Sequence, residues 1–526
     1  MKVESRKSLV LLFLLSSFLF GAEGISVYNV KDYGAVADGK TKITDVFKSV
    51  IAKIKKDGGG TVYVPPGEYL TGPIHFVDNM TLYLEAGATL NFSTDFDDYY
   101  PMVQVRFQGI DFKNFSPLLY AYKVKNIAIK GRGKIDGHGE VWMQFNREFR
   151  KVYKESGEKN RNINKWQKKT WEANYPNRVQ HGGFMRPQLF LAYDCKDVLL
   201  EDIYITNTPF WTCHFVLCEN VNVTGVTIKN PLGNNPDGIN PESCKNVHIS
   251  NCHIDTDDDC ITIKAGKHEA ARWDGNSCEN ITITNCTLIS GASGVGIGSE
   301  MSGSVRNVTI SNCVIVGTSG GIYIKTIRGR GGVVENITVN NLVINNLRKS
   351  YAIGLDMMYY IKTEKQPVSD DTPKFRNIHF SNITGTGNKK GIFVRGLEEM
   401  YIENVSFTNI NLETENGFSC EFVKGIRLNN VTITPDTGSV FLGSNILDLE
   451  IDGLSTKKNM KDVPFVKLKN TTNAFIHSTF LPQGIKTFME LSGKNTHSIH
   501  LGLDDVRRFS DRIIFKDGAT TKAINQ

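Results

Sequence analysis

What this chain of 526 residues lacks narrows its class before any motif is considered. It lacks a bilayer-spanning apolar run. The longest, Leu9 to Phe20, has about 12 residues, where a membrane helix needs about 20. It lacks a strong charge of either sign, and a formal net charge of +6 argues against a nucleic-acid binder. Its ten cysteines lack the histidine partners and spacing of a zinc site. The Leu-x-x-Leu-x-Leu phrase of a leucine-rich solenoid is missing as well. Apolar residues are not scarce: a 40% hydrophobic, 22% charged composition supports a continuous core and excludes a disordered chain.

Residues 1–24 read as a secretory signal. Lys2, Arg6 and Lys7 precede the apolar run, and Gly21-Ala22-Glu23-Gly24 offers small residues for cleavage. The expectation is a protein exported from the cell, or to the periplasm in a bacterium, with no membrane anchor. Residues 25–526 would then form one domain.

That domain is repetitive. Asn, a β-branched residue and a short alternation recur at Asn220-Val, Asn246-Val-His-Ile, Asn280-Ile-Thr-Ile, Asn307-Val-Thr-Ile, Asn336-Ile-Thr-Val, Asn377-Ile-His-Phe, Asn404-Val-Ser-Phe and Asn430-Val-Thr-Ile. The steps are mostly 26 to 34 residues, with one of 41 that leaves room for a longer loop. Units this small cannot bury a core alone and must stack. Short strands with Asn and Gly at the corners imply an all-β fold, a right-handed single-stranded parallel β-helix. Helical spacing of Val46, Val50, Ile51 and Ile54 predicts a helix from Thr44 to Lys56, stopped by Gly58-Gly-Gly, that caps the open end within residues 25–90. Many repeats contain Asn-x-Ser/Thr. The corner role explains these asparagines before glycosylation does. Cys252, Cys286 and Cys313 end the same phrase in successive repeats, so they should stack as buried thiols; Cys213, Cys218, Cys244 and Cys260 leave room for a disulfide. One insertion, 144–185, carries ten Lys/Arg against four Glu, with Trp166 and Trp171 between them. It is either a solvated excursion or a cleft wall that attracts a polyanion.

The chemistry concentrates between Gly233 and Lys264. Asp237 lies in Asn-Pro-Asp-Gly, and Asp257, Asp258 and Asp259 follow about one coil later. Each cluster alone has a plain explanation, a turn or a calcium site or acidic corner. On neighbouring coils they become a set of crowded carboxylates, in which one acid holds its proton while another stays ionised. Inverting glycoside hydrolysis needs that pairing. The next coil carries the glycine-rich Gly294–Gly303, which lets a ligand approach closely. In Gly321-Ile-Tyr-Ile-Lys, alternation turns Tyr323 and Lys325 outward together. Arg272 and Arg328 in nearby loops are candidate clamps for an acidic sugar.

These motifs, in this order, resemble glycoside hydrolase family 28, the polygalacturonases: Asn-Pro-Asp-Gly at 235–238, Asp-Asp-Cys-Ile at 258–261, Ile-Gly-Ser-Glu-Met-Ser-Gly at 297–303 and Ile-Lys-Thr at 324–326. Pro-Phe-Trp-Thr-Cys-His at 209–214 looks like the phrase of exo-acting members. The resemblance runs from about Val27 to residue 410. It implies a parallel β-helix and inverting hydrolysis of α-1,4-galacturonosyl bonds in an acidic plant-type polysaccharide, with no metal or cofactor. Asp258 would be the general acid, Asp237 and Asp259 the pair activating water. Lys325 matches the family's substrate-binding lysine, and Tyr323, Arg272, His214, Ser293, Glu300 and Arg328 are the further candidate substrate contacts in this sequence. Exo action by a monomer is expected, with the 144–185 insertion walling off one end of the groove. The sequence departs from the family at three points. No histidine precedes Ile297-Gly-Ser, Tyr323 stands where the family has arginine, and Asp257 replaces a glycine. The alternatives are a hydrolase of rhamnogalacturonan or xylogalacturonan, a non-catalytic carbohydrate-binding β-helix, and a calcium-dependent lyase.

Overall fold

The computed structural model describes residues 26–156 and 186–525, apart from short interruptions at 231–232, 234, 274, 361–363, 460–461, 483, 504 and 506–511. The expected signal (1–24) and residues 157–185 of the basic insertion, including both tryptophans, lie outside the described residues.

The corner asparagines explain the winding. Asn220, Asn246, Asn280, Asn307, Asn336, Asn377 and Asn404 adopt φ of 53–60°, a left-handed conformation that asparagine tolerates better than branched residues. Asn220 Nδ2 donates to Asp197 Oδ1 (2.8 Å), and from Asn246 onward each Nδ2 donates to the amide oxygen of the asparagine one coil earlier, as in Asn280 to Asn246 (3.2 Å) and Asn307 to Asn280 (3.1 Å). The ladder fixes the register, which stacks Val221, Val247, Ile281, Val308, Ile337, Ile378 and Val405 in one buried column. Among the described residues, repetition joins 36 strands into one sheet, wound as a right-handed parallel β-helix. Coils continue past Val440, where the repeat fades from the sequence, to a last strand at Ile524–Asn525.

Helix α1 (Thr44–Asp57) covers the first coils with Phe47, Val50 and Ile54 and stops at Gly58, whose φ is 84°. A hairpin stands apart from the solenoid: β1 (Val103–Phe107) and β2 (Ile110–Asn114) pair antiparallel through Gln108 and Gly109, at φ 51° and 77°. The basic insertion begins inside helix α2 (Gly139–Ser156). The strands that matter for function share one face of the solenoid: β3 (Cys213–Val216), β4 (Ile239–Glu242), β5 (Ile261–Ile263), β6 (Ser293–Gly298), β7 (Gly320–Lys325), β8 (Tyr351–Asp356) and β9 (Lys390–Arg395).

All ten cysteines are free and buried. Cys286 and Cys313 stack as expected, the Cys286 amide lying 3.4 Å from Cys313 Sγ, and none of Cys213, Cys218, Cys244 and Cys260 is bridged. Among the described residues no helix is long and apolar enough to cross a membrane.

Candidate active site

Because side chains alternate along a strand, two columns of residues point outward from this face. In one, Gly296, Tyr323, Gly354 and Phe393 are register neighbours. In the other, Glu242 pairs with Lys264, and Gly298, Lys325, Asp356 and Arg395 align in turn. The acids sit at the strand entrances. The amide of Gly238 donates to the carbonyl of Asp259 (3.0 Å), so Asp237 and Asp259 lie on adjacent coils, about 4.8 Å apart in backbone spacing.

The three aspartates are not equivalent. Asp258 is half-buried and the most accessible. Its carboxylate accepts from Asn235 Nδ2 and from the Asp259 amide, both at 2.9 Å. Burial, then the neighbouring charge of Asp259, still pushes its pKa up to about 6. Asp259 is 4% exposed and binds Lys325 Nζ at 3.0 Å through Oδ2. Burial disfavours its charge, but Lys325 and Lys264 outweigh burial and hold it below the ordinary carboxylate range. Asp237 is 3% exposed and accepts from Asn240 Nδ2 at 3.1 Å. Burial and Asp258 push its proton affinity well up, with Lys264 acting in the opposite sense from 4.0 Å. Oδ1 of Asp237 and Oδ1 of Asp259 are buried and accept no protein hydrogen bond, so each keeps an acceptor position for a small ligand such as water.

Gly296 faces this cluster for a steric reason. A Cβ there would lie 3.1 Å from Asp259 Oδ2. The glycine-rich segment therefore clears space for a carboxylate of the previous coil.

The other sequence-predicted contacts divide. Tyr323 and Lys325 do face outward together, Lys325 Nζ lying 5.7 Å from the Tyr323 ring centre and 5.2 Å from that of Tyr359. Ser293 lies against Asp259. Glu300 is buried beside Lys264 at 3.2 Å, and although burial opposes its charge, Lys264 and then Arg330 hold its pKa down to about 2. His214 is fully buried, with Nε2 3.0 Å from Glu242, so it shapes the floor without presenting a surface. Arg272 and Arg328 are tied to Asp371 and to Glu399. Two residues were missed by sequence reasoning. Lys264, between Asp237 and Glu300 and 4.7 Å from the Trp211 ring centre, follows from the outward alternation of Thr262 and Lys264. Arg395, bonded to Asp356 at 3.0 and 2.9 Å, joins the same column from two coils beyond Lys325 and left no local signal.

The hairpin closes one end of this face. Val105, Phe107 and Phe112 pack on Tyr120, Leu191, Tyr193, Phe210, Trp211 and Val216, covering the coils that precede the acids. Its tip reaches across to the loop after β5. A Cβ on Gly109 would lie 2.8 Å from Gly266 Cα and 2.4 Å from the Lys267 amide.

Comparison with known proteins places these features in a wider set. The family described as Glycosyl hydrolases family 28 matches residues 63–434. A probable polygalacturonase of Vitis vinifera is 27% identical over 423 residues, covering 77% of this chain and 78% of its own length. The crystal structure of a hyperthermoactive exopolygalacturonase from Thermotoga maritima superposes with a TM-score of 0.66 at 32% identity, covering 78% of this chain and 92% of the other. A family 28 exopolygalacturonase of Yersinia enterocolitica shares the fold at 22% identity, with a TM-score of 0.67, 82% of this chain and 78% of that one being covered.

Proposed function

The chain belongs to glycosyl hydrolases family 28 and is a glycosidase, and on that premise we propose that it hydrolyses α-1,4-galacturonosyl bonds from one end of a galacturonan chain, with inversion, outside the cytoplasm. The mechanism is supported by the opposite electrostatic surroundings of two adjacent aspartates, only one of which is bound by a lysine. Asp258, raised to about 6, keeps a proton to give. Asp259, clamped by Lys325, stays ionised to take one. Asp258 protonates the glycosidic oxygen as the anomeric C–O bond breaks. Asp259 accepts a proton from the water that attacks the opposite face of the sugar, and Asp237 helps to hold that water. One proton leaves Asp258, one arrives at Asp259, and the sum is addition of water across the bond.

Action at a chain end is supported by the hairpin, which buries the outward residues of the coils preceding the acids and reaches the loop after β5. The exopolygalacturonases of Thermotoga and Yersinia are consistent with it. Export rests on the pattern of residues 1–24 and on the polymeric nature of such a substrate.

The test is incubation with polygalacturonate, rhamnogalacturonan and xylogalacturonan, with and without chelator. Free galacturonate with no absorbance rise from an unsaturated product, unaffected by chelation, is expected from polygalacturonate. Asp258→Asn should lower the rate by a factor of about 10³ or more while galacturonan still binds. A variant that keeps full rate removes Asp258 from the acid role.

A further inference from the structure

Most cations around the acid cluster are already matched. Lys264 holds Glu300, Arg272 holds Asp371, Lys325 holds Asp259, Arg328 holds Glu399 and Arg395 holds Asp356. Arg330 and Lys267 have no such partner among the described residues. Arg330 is 2% exposed, yet its Nε and Nη1 are buried without a hydrogen-bond acceptor, and its Nη2 meets only Tyr360 Oη at 3.4 Å. Lys267 Nζ meets only the amide oxygen of Gln108, also at 3.4 Å. The two cations lie close enough to repel, and both feel the buried charge of Glu300, which is hydrogen-bonded to Lys264.

Glu300 lends Arg330 only a shared charge at a distance, and a buried guanidinium with two nitrogens lacking any acceptor is unfavourable unless something outside the fold supplies one. Its planar fork fits a carboxylate, and a lysine beside it adds a point charge on the same anion. The location indicates which carboxylate. Lys267 stands next to Gly266, where the hairpin tip meets the wall, and Arg330 lies within electrostatic reach of it, on the side of the acids that the hairpin covers. A chain entering from the side away from the hairpin brings its terminal sugar there.

We propose that Arg330 and Lys267 form the receptor for the carboxylate of the terminal uronic-acid residue, and so make the protein select acidic over esterified or neutral chain ends. This rests on the galacturonan reading above and deepens it. It also assigns to two residues after β5 and β7 a task that the outward face of β7 does not perform, since Lys325 is spent on Asp259 and position 323 is tyrosine.

The experiment is calorimetric binding to the Asp258→Asn protein, so that turnover does not intervene, of digalacturonate and of its fully methyl-esterified form. The unaltered cluster should prefer the acid by about tenfold or more. Lys267→Gln, and separately Arg330→Lys, which keeps charge and bulk but not the fork, should each weaken the acid about tenfold and move the ester by less than about threefold. Equal loss on both ligands, no loss on either, or no preference for the acid at the outset overturns the proposal. Thermal unfolding of each variant separates these outcomes from misfolding. A protein that binds the acid through this pair and never cleaves polygalacturonate would refute the hydrolase reading and leave the receptor standing.

Discussion

Replacing Lys325 by methionine tests whether this lysine acts through Asp259 or on the sugar. The ammonium lies 3.0 Å from Asp259 Oδ2, with side-chain exposures of 10% and 5%. An opposite charge at such range lowers a carboxyl pKa by about 1–3 units, each unit being about 1.4 kcal/mol. The sign follows from the roles. Asp259 must be ionised to take a proton, so its depressed pKa sets the acid side of the pH profile; removing the cation raises it and moves that side to higher pH. Lys325 also opposes the protonation of Asp258, so the alkaline side, near 6 in the intact protein, moves up as well. The whole bell should shift alkaline by about 1–2 units, and at pH 4 kcat/KM should fall by about 10- to 100-fold. Losing one partner of a buried pair also destabilises by about 3–5 kcal/mol, so unfolding must be followed in parallel. The assay is kcat and KM on digalacturonate at half-unit pH steps, with Lys325→Arg as the charge-preserving control. A folded methionine variant whose KM rises while both limbs stay in place would refute the reasoning and return Lys325 to direct sugar contact.

Three further outcomes are expected. Gly296→Ala puts a methyl group 3.1 Å from Asp259 Oδ2, and should lower kcat by about tenfold with little change in melting temperature, since a carboxylate displaced by a few tenths of an ångström loses its alignment with the attacking water. Asn280→Val removes two ladder bonds, of 3.2 and 3.1 Å, at a φ of 60°; chemical denaturation should record a loss of about 2–4 kcal/mol, while Asn280→Gly loses about half of that because glycine accepts the angle. Gly109→Ala drives the hairpin tip off Gly266 and Lys267, so chromatography of the products should show oligomers appearing beside the monomer; an unchanged pattern would argue against the hairpin as an end wall.

The solenoid was legible because its cause is local. An asparagine that must take a left-handed angle, followed by alternating β-branched residues, reads the same in every coil, as does the helix that ends at Gly58. Asp237, Asp258 and Asp259 were legible because a coil length converts directly into proximity. The hairpin was not separated from the coils, since Val103–Phe107 and Ile110–Asn114 alternate just as coil strands do. Only Gln108-Gly109, a two-residue turn with both φ positive, distinguishes it, and Gln is not a residue that announces such a turn. Which cations are free was beyond sequence reasoning for a different reason. Arg328 meets Glu399 at a separation of 71 residues and Arg272 meets Asp371 at 99. Pairings of that range depend on loop paths that no periodicity encodes.

The asparagine ladder has a consequence for how such a molecule can diversify. Its bonds span 26 to 41 residues of intervening chain with nearly constant length, 2.9 to 3.3 Å. Coil pitch is thus insulated from what happens between corners. A loop can lengthen, fold into a hairpin or be rewritten for another ligand, and the carboxylates one pitch apart keep their spacing.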